Sequence, residues 1–248
     1  MIKELWTLPH VEPCYKRIRV LFAGIYVVDT YSAKLVWLAR ERPPVYFFPE
    51  SELPMWYLSL NESKSDHRMR VYDMHAGFRS AAAAVRAYCA AENDPLLAGL
   101  FTINFADMDA WFEEEEQIFV HPKDPYTRVD VLQSSRHVRV TANGVELADT
   151  HTPRLVTETG LPPRFYISKL DCRFDNLTNS SRTSQCPYKG ETNYLHMRTE
   201  TGVTIEDVAW CYRHTTPECA GIRGYVAFDE DKVNVEVHNT LQTPIQRK

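Results

Sequence analysis

The sequence has 248 residues, 44% of them hydrophobic and 25% charged, with a formal net charge of -5. A chain of this length and composition can bury a core without disulfides, and its acidic balance argues against a broad phosphate-binding surface, so we expect no nucleic-acid partner. No apolar run approaches the roughly 18 residues of a membrane span, and the N-terminus lacks a signal-like apolar stretch. We therefore expect a cytoplasmic protein that does not associate with membranes.

An internal repeat organises the chain. The segment IRVLFAGIYVVDTYSAKL at 18–35 aligns with VRVTANGVELADTHTPRL at 138–155, and identical Arg, Val, Gly, Asp, Thr and Leu residues recur at an offset of 120. RPPVYFFPESEL from Arg42 aligns in the same order with LPPRFYISKLDC, and GLFTINFADMDAW from Gly99 aligns with GYVAFDEDKVNVE. Such an ordered series indicates a tandem duplication. We predict a first, degenerate module at 1–112, a connector at 113–135 and a second module at 136–248.

One segment of the first copy conflicts with the repeat. FRSAAAAVRAYCAAEN at 78–93 is rich in alanine, which favours an α-helix. The repeat, however, aligns AVRAYC with the strand-like DVAWCY of the second copy. We expect a helix at 78–93, as a divergence of the first copy from the second.

The connector follows this copy. It contains two prolines and a run of four glutamates, which is typical of a segment that passes over the surface. We interpret the glutamates as a solvated face rather than a metal site.

The second copy predicts mainly strands. Alternating apolar residues on both sides of Asn143-Gly144 indicate a hairpin with a type I′ turn. Pro162-Pro163 breaks the chain before the strand RFYIS, and NYLHMRTE pairs with VTIEDVAWCYR across a turn at Thr201-Gly202. GYVAFDEDKVNVEVH predicts a last hairpin. The fold class is therefore mainly β: two tandem copies of a compact curved β-sheet or partly open barrel, with few short helices.

The cysteines, histidines and acidic residues do not show the spacing of a known metal-binding or redox motif. Six cysteines include no C-x-x-C pair, so we expect free thiols. Nine histidines and 33 acidic residues show no H-x-H, H-E-x-x-H or EF-hand pattern. We predict no metal site, and without a redox or nucleotide signature we predict no cofactor.

The stretch SQCPYKGETNY at 184–194 predicts a presented loop. Pro187 fixes one backbone torsion and Gly190 permits a positive one, which together favour a sharp turn that displays Tyr188 and Lys189. A lysine beside apolar walls can lose its proton and act as a base or Schiff-base amine, or stay charged and hold an anion. Alternatively, Lys189 is a surface turn residue and the ring of Tyr188 fills the core.

The second copy also resembles a known family. GVELADTHTPRLVTETGLPPRFYI, CPYKGETNY, DVAW and GYVAF resemble the family catalogued as domain of unknown function 427, which is also filed under a nucleotidyltransferase-like label. The connector, followed by SSRHVRV, resembles the tandem form of that family, so the resemblance covers nearly the whole chain. No phosphate-cradling glycine loop supports nucleotidyl transfer independently. The first copy lacks CPYKG and has YDMHAGFRS near its place, so the resemblance implies a working site in the second copy.

The candidate site residues lie around this loop. Arg154 and Glu158 share a face by strand spacing and can pair inside a cavity or form a surface ion pair. Trp210 and Tyr212 also share a face, where core packing and a ligand wall are alternatives. Cys186 is a nucleophile or an inert thiol. Our catalytic candidates are Lys189, Tyr188, Glu158 and Arg154, and our substrate-binding candidates are Tyr166, Thr192, Tyr194, Trp210, Tyr212, Cys186 and His121.

Three functions fit this sequence. The first is a cofactor-independent enzyme that acts on a small organic molecule, such as a secondary metabolite, by acid–base chemistry such as isomerisation, dehydration, hydration or cyclisation. The second is a β module that binds a small molecule or a partner without catalysis. The third, implied only by the family label, is nucleotidyl transfer, for which Asp107 and Asp109 have a suitable spacing for magnesium. The oligomeric state cannot be predicted.

Overall fold

Two successive units make up the chain. The computed structural model describes residues 2–89, 95–198, 202 and 204–242. The units are Met1–Asp124 and Pro125–Lys248. The division falls inside the segment 113–135 that the sequence predicts as a connector.

The first unit contains eleven strands among its described residues, all antiparallel to their neighbours. They are β1 (His10–Pro13), β2 (Ile18–Phe22), β3 (Ile25–Thr30), β4 (Lys34–Trp37), β5 (Val45–Pro49), β6 (Leu58–Leu60), β7 (Met69–Ala76), β8 (Arg79–Tyr88), β9 (Leu100–Ile103), β10 (Ala110–Glu113) and β11 (Glu116–Ile118). Short 3-10 helices cover Ile2–Leu5, Glu50–Glu52, Met55–Tyr57, Glu62–Lys64 and Phe105–Asp107. The strands form a seven-stranded sheet, β1-β4-β5-β9-β8-β7-β6, and a four-stranded sheet, β11-β10-β2-β3.

The second unit also contributes eleven strands from its described part. They are β12 (Val129–Gln133), β13 (Val138–Ala142), β14 (Val145–Thr150), β15 (Arg154–Glu158), β16 (Leu161–Tyr166), β17 (Leu177–Cys186), β18 (Gly190–Arg198), β19 (Thr204–Thr215), β20 (Val226–Phe228), β21 (Asn234–Val237) and β22 (Thr240–Leu241). Its 3-10 helices are Lys169–Asp171, Phe174–Asn176 and Pro217–Ile222.

The strand orders show that the second unit repeats the first. Its sheets are β12-β15-β16, β17-β18-β19-β20 and β14-β13-β21-β22. Paired hydrogen bonds of 2.8 Å between Ile167 and Val226 connect the end of β16 to β20. With that bridge, each strand from β1 to β11 corresponds in position to one from β12 to β22. The tandem repeat and the mainly β architecture predicted from the sequence are therefore confirmed.

The type I′ hairpin turn is also confirmed, in both copies. Asn143 and Gly144 have φ values of 51° and 78°, and Ala23 and Gly24 have values of 51° and 76°. Positive φ at both central positions defines this turn, which matches the right-handed twist of the flanking strands. A register shift follows Val20 in one hairpin and Val140 in the other.

The helix predicted at 78–93 is wrong for the described part of that segment, since residues 79–88 form strand β8 (residues 90–93 lie outside the described residues). β8 lies between β7 and β9, and Ala84, Val85 and Ala87 enter the core of the first unit. Burial and pairing on both edges therefore outweigh the helix propensity of alanine, as expected for a central strand. The alignment of AVRAYC with DVAWCY indicated the correct structure.

Two details of the second copy also differ from prediction. The runs GYVAF and NVEV are strands, but they do not form a hairpin, because β20 pairs with β19 and β21 pairs with β13. Pro162 and Pro163 lie inside β16 rather than before it. They are tolerated there because the ladder between β15 and β16 shifts register between Val156 and Glu158. The strand pair β18–β19 is confirmed. In its predicted turn, Gly202 has a φ of 81°, while Thr201 lies outside the described residues.

Each unit buries one large core and one smaller cluster. The large cores contain Phe22, Phe48 and Trp111 in the first unit, and Val138, Met197 and Phe228 in the second. The smaller clusters contain side chains from the face of the long sheet that points away from the large core. Within the part of the chain that the structure describes, no helix is long and apolar enough to cross a membrane.

Candidate functional site

A cavity of about 380 Å³ lies in the second unit. On β19, Trp210 and Tyr212 line the cavity, whereas Ala209 and Cys211 enter the large core. The cavity is therefore on the face of the sheet opposite the large core. Its lining comprises Val156, Glu158, Leu161, Pro162, Arg164, Tyr166, Arg182, Ser184, Cys186, Lys189, Thr192, Tyr194, Asp207, Trp210, Tyr212, Asp229 and Lys232.

The CPYKG loop joins β17 to β18 at the edge of this cavity. Gly190 has a φ of 111°, as the sequence predicts, and a Cβ at that position would meet the carbonyl oxygen of His214 at 2.1 Å. The carbonyl of Tyr188 accepts hydrogen bonds from Thr216 Oγ1 at 2.7 Å and from Cys219 Sγ at 3.4 Å. These hydrogen bonds anchor the backbone of the loop and so fix the position from which the Lys189 side chain enters the cavity.

Lys189 and Glu158 form an ion pair in the cavity wall, in which Lys189 Nζ donates a hydrogen bond to Glu158 Oε2. Each side chain is only 11% exposed. Burial lowers the pKa of Lys189, but the hydrogen bond and the negative charge of Glu158 outweigh it, so the net shift is upward. Lys189 is therefore an ammonium ion here, which favours the anion-holding alternative over a free amine base.

Phenol groups extend from this pair across the cavity floor. The rings of Tyr166 and Tyr212 lie side by side with their centroids 6.3 Å apart, and Trp210 and Thr192 line the same cavity. Burial raises the pKa of both tyrosines above the ordinary value. Both phenols consequently stay protonated at neutral pH and can act as hydrogen-bond donors.

Four basic side chains line the cavity together with three carboxylates. Lys189 pairs with Glu158, Arg182 with Asp207 at 2.9 Å, and Lys232 with Asp229 at 3.3 Å. The fourth basic residue is Arg164. The lining therefore carries one more positive than negative charge.

Arg164 is the cation without a carboxylate at hydrogen-bond distance in the cavity. One of its nitrogens, Nη1, donates to the carbonyl of Phe228 at 2.7 Å and lies 3.8 Å from Glu230, which is outside the lining. The guanidinium stacks over Trp210 at 4.9 Å. An arginine positioned this way presents donors to a carboxylate or phosphate of a ligand.

The first unit fills the corresponding face with apolar side chains. The cross-strand set Val11, Val36 and Val45 occupies the positions of Val131, Val156 and Arg164. There Val36 packs with Phe47, Leu97 and Leu100 in a buried cluster. The charged cavity is therefore a feature of the second copy and not a requirement of the fold.

The structure brings most of the predicted site residues together. Eight of them line the cavity: Glu158, Tyr166, Cys186, Lys189, Thr192, Tyr194, Trp210 and Tyr212. Tyr188 contributes its backbone carbonyl to the anchoring of the loop and is not part of the lining. His121 belongs to the first unit, where its Nδ1 lies 2.7 Å from the carbonyl of Pro122.

The predicted pairing of Arg154 with Glu158 is replaced by the pairing of Lys189 with Glu158. Arg154 lies outside the lining, with its guanidinium 5.5 Å from the ring centre of Tyr225. The register shift between Val156 and Glu158 breaks the two-residue alternation on which the predicted pairing depends.

Sequence reasoning missed several charged lining residues. Arg164 precedes Tyr166 by two positions on β16, so strand periodicity places it on the same face and could have identified it. Arg182 and Asp207 come from distant strands, and Asp207 has a φ of 48° at an irregularity of β19. Only the three-dimensional structure reveals that pair.

The acidic residues considered for magnesium do not form a shared site. Asp107 accepts a hydrogen bond from Asn104 Nδ2 at 2.7 Å, and Asp109 pairs with Arg79. Among the described residues, the group with suitable spacing for a metal ion is His137, Asp149 and His151, which lies outside the cavity lining.

Comparison with known families agrees with this repeat architecture. A family model labelled NTP_transf_9 and described as a domain of unknown function (DUF427) matches residues 10–114 and again residues 130–239. The chain therefore belongs to this family, in a form that carries two copies of the domain. No curated protein matches the sequence.

Proposed function

We propose that this protein is an enzyme that acts on a small organic substrate bearing an anionic group, and that its own side chains supply acid–base chemistry. The observation that carries the proposal is the ion pair of Lys189 and Glu158, which is nearly buried and still faces an open cavity. Titratable groups in such surroundings are candidates for proton transfer.

A purely structural role explains this pair poorly. Removing two charges from water costs about as much as their attraction returns, so a buried pair adds little net stability. The first copy fills the same face of the sheet with apolar residues. Because the first copy buries an apolar cluster where the second copy has its charged cavity, we infer that the second copy keeps these charges for a ligand.

The geometry suits removal of a proton from a carbon next to a carbonyl group. The Glu158 carboxylate accepts the proton, and the electron pair left on carbon delocalises onto the carbonyl oxygen. The ammonium of Lys189, which lies next to Glu158, stabilises the resulting oxyanion. The protonated phenols of Tyr166 and Tyr212 add donors to the same wall. Isomerisation, dehydration and cyclisation can each begin with this step.

Arg164 defines the second requirement for a substrate. Its guanidinium faces the cavity with no lining carboxylate paired to it, and the flat ring of Trp210 lies beneath it. A carboxylate or phosphate group on the substrate would accept hydrogen bonds from this guanidinium, beside its longer contact with Glu230. The cavity of about 380 Å³ is within the range typical of small-molecule sites.

The second candidate is a small-molecule-binding module without catalysis. The raised pKa of Lys189 favours it, since an ion pair that holds its proton firmly can simply bind a polar ligand. Nucleotidyl transfer remains a proposal carried by the family label alone.

Native mass spectrometry of the full chain, mixed with a cellular metabolite extract, tests the proposal. Wild type and an Arg86→Val control, which removes an exposed arginine from the corresponding face of the first copy, should retain one anionic ligand. Arg164→Val, which installs the first copy's residue, should lose it.

The captured compound is then incubated with wild type and Glu158→Gln. A product from wild type alone supports the enzyme, and an unchanged ligand from both supports the binding module. Equal ligand capture by Arg164→Val would contradict the proposed site.

A further inference from the structure

A group of potential metal ligands lies at the open end of the β13–β14 hairpin. His137 precedes β13, while Asp149 and His151 lie at the end of β14. One ligand atom from each of the three lies within 4.8 Å of the others. His137 Nε2 is 2.9 Å from Asp149 Oδ1, and the two imidazole rings are stacked with centroids 4.2 Å apart.

In the first copy, other residues occupy the corresponding position. By strand register, Arg17, Asp29 and Tyr31 correspond to His137, Asp149 and His151. Arg17 makes two hydrogen bonds of 2.6 Å to Asp29, and its guanidinium lies over the ring of Tyr31 at 5.9 Å. The aspartate is thus neutralised by a cation built into the chain.

A third histidine reaches the same end of the second copy. The backbone N–H of His238 donates to the carbonyl of His137 at 3.0 Å, in the way that Glu114 N–H donates to Arg17 in the first copy at 2.9 Å. Both donors have positive φ values, 49° and 53°. Thus histidine replaces Arg17, Tyr31 and Glu114 around a retained aspartate.

We propose that His137, Asp149 and His151 form a binding site for a divalent metal ion of the zinc type. Two imidazoles and one carboxylate are a donor set that zinc uses where solvent completes the coordination. The side chains of His137 and Asp149 are 25% and 33% exposed, and His151 is exposed, so an ion can enter from solvent. Bonds of about 2.1 Å to zinc require ligand atoms roughly 3.3 Å apart, which small side-chain rotations from the present spacing can reach. The metal supplies the positive charge that Arg17 supplies in the first copy.

Calorimetric titration of the full, chelator-treated chain with Zn²⁺ at neutral pH tests this site. The informative variant is His137→Arg/His151→Tyr, which recreates the arrangement of the first copy and should therefore fold. Its control, His67→Arg/His75→Tyr, makes the same substitutions at exposed histidines of the first unit. We expect wild type and control to bind one Zn²⁺ with equal affinity, and the hairpin variant to bind it about a hundredfold more weakly.

Co²⁺ binding separates this site from thiol sites, because the six cysteines are free. At the proposed site, Co²⁺ should give an absorption spectrum without a thiolate charge-transfer band, and the hairpin variant should lose that spectrum. Equal Zn²⁺ binding by wild type and the hairpin variant would overturn the proposal. So would the absence of any Zn²⁺ binding by wild type, in which case the histidines only repeat the structural role of Arg17 and Tyr31.

Discussion

Lys189 donates a hydrogen bond to Glu158 across 31 residues of sequence, and both side chains lie in the wall of the same cavity. Glu158 ends β15, whereas Lys189 lies in the turn between β17 and β18. Each is 11% exposed, so removal of one partner leaves the other charge largely out of water. The cavity wall therefore tolerates the loss of both charges better than the loss of one, and the intact pair is the centre of the proposed chemistry.

Replacing one residue of this pair should therefore destabilise the protein more than replacing both. We expect Lys189→Met and Glu158→Gln each to lower the free energy of unfolding by about 3 kcal/mol, because each leaves a buried group unpaired. The double variant should lie within about 1 kcal/mol of wild type. Chemical denaturation of the four proteins measures this cycle.

The control for this cycle is Arg128→Met, which breaks a pair whose arginine side chain is 80% exposed. Arg128→Met should lower the free energy of unfolding by about 0.5 kcal/mol or less, roughly the contribution of a surface ion pair. If Lys189→Met lowered the free energy of unfolding no more than Arg128→Met does, the Lys189–Glu158 pair would behave as a solvent-exposed pair, against the prediction.

The CPYKG loop depends on Gly190 in a way that other glycines do not share. Gly190→Ala should destabilise the protein by more than about 2 kcal/mol, because the new Cβ would meet the His214 carbonyl oxygen at 2.1 Å on top of the strain of positive φ. Gly144→Ala has the same kind of positive φ but nothing within 4 Å of its Cβ, so only strain of about 1 kcal/mol is expected. Thermal unfolding of both variants provides the comparison, and equal melting temperatures would refute the close approach.

Alkaline pH should destabilise the folded protein through the cavity residues. Burial raises the pKa of Tyr166 and Tyr212, and Glu158 raises that of Lys189 against the opposing effect of burial. In each case the folded state keeps a proton that the unfolded state releases near pH 10, so the contribution is complete below roughly pH 10 and is lost as the pH rises further.

Urea unfolding between about pH 8 and pH 11 measures this dependence. Each such group adds up to about 1.4 kcal/mol of lost stability per pH unit. Tyr212→Phe should flatten the decline, whereas replacement of the exposed Tyr15 by Phe should not. An identical slope in all three proteins would contradict the raised pKa of Tyr212.

The cysteine that lines the cavity should react with an alkylating reagent before the buried cysteines do. Cys186 is half-buried and lines the cavity, whereas Cys172 and Cys219 are buried. Burial raises the pKa of Cys172 to about 12 and also raises that of Cys219, so neither forms thiolate readily at neutral pH. Brief iodoacetamide treatment and peptide mapping should find Cys186 modified before these two. Equal labelling of Cys219 and Cys186 would show that the cavity is not open as described.

Sequence alone predicts the local features of this protein well. The Asn143-Gly144 turn and the positive φ of Gly190 follow from residue chemistry within a few positions, and the duplication follows from aligned segments. Seven of the eight lining residues cluster around one motif or lie in aromatic strand patterns, whereas Glu158 is predicted through a pairing with Arg154 that the structure replaces. These signals are local, so no tertiary information is needed to interpret them.

The remaining features depend on contacts between distant segments. Alanine propensity in β8 is overridden by neighbours on both edges, and the polar DED sequence separates two strands that pair elsewhere. The register shift beside Glu158 is invisible in the sequence, yet it determines that Lys189 rather than Arg154 becomes the partner. A Lys–Glu pair that joins two hairpins cannot be deduced from spacing, because the registers of several strands jointly position it.

We propose that Glu158 removes a proton from an organic acid bound beside Lys189 and Arg164. The most direct test incubates the full chain with a metabolite extract in D₂O and follows deuterium uptake by mass spectrometry. With wild type and the Arg86→Val control, at least one small organic acid should gain a deuterium that it does not gain without protein or with Glu158→Gln. Identical labelling by wild type and Glu158→Gln, or no labelled compound with wild type, would contradict the proposed role of Glu158.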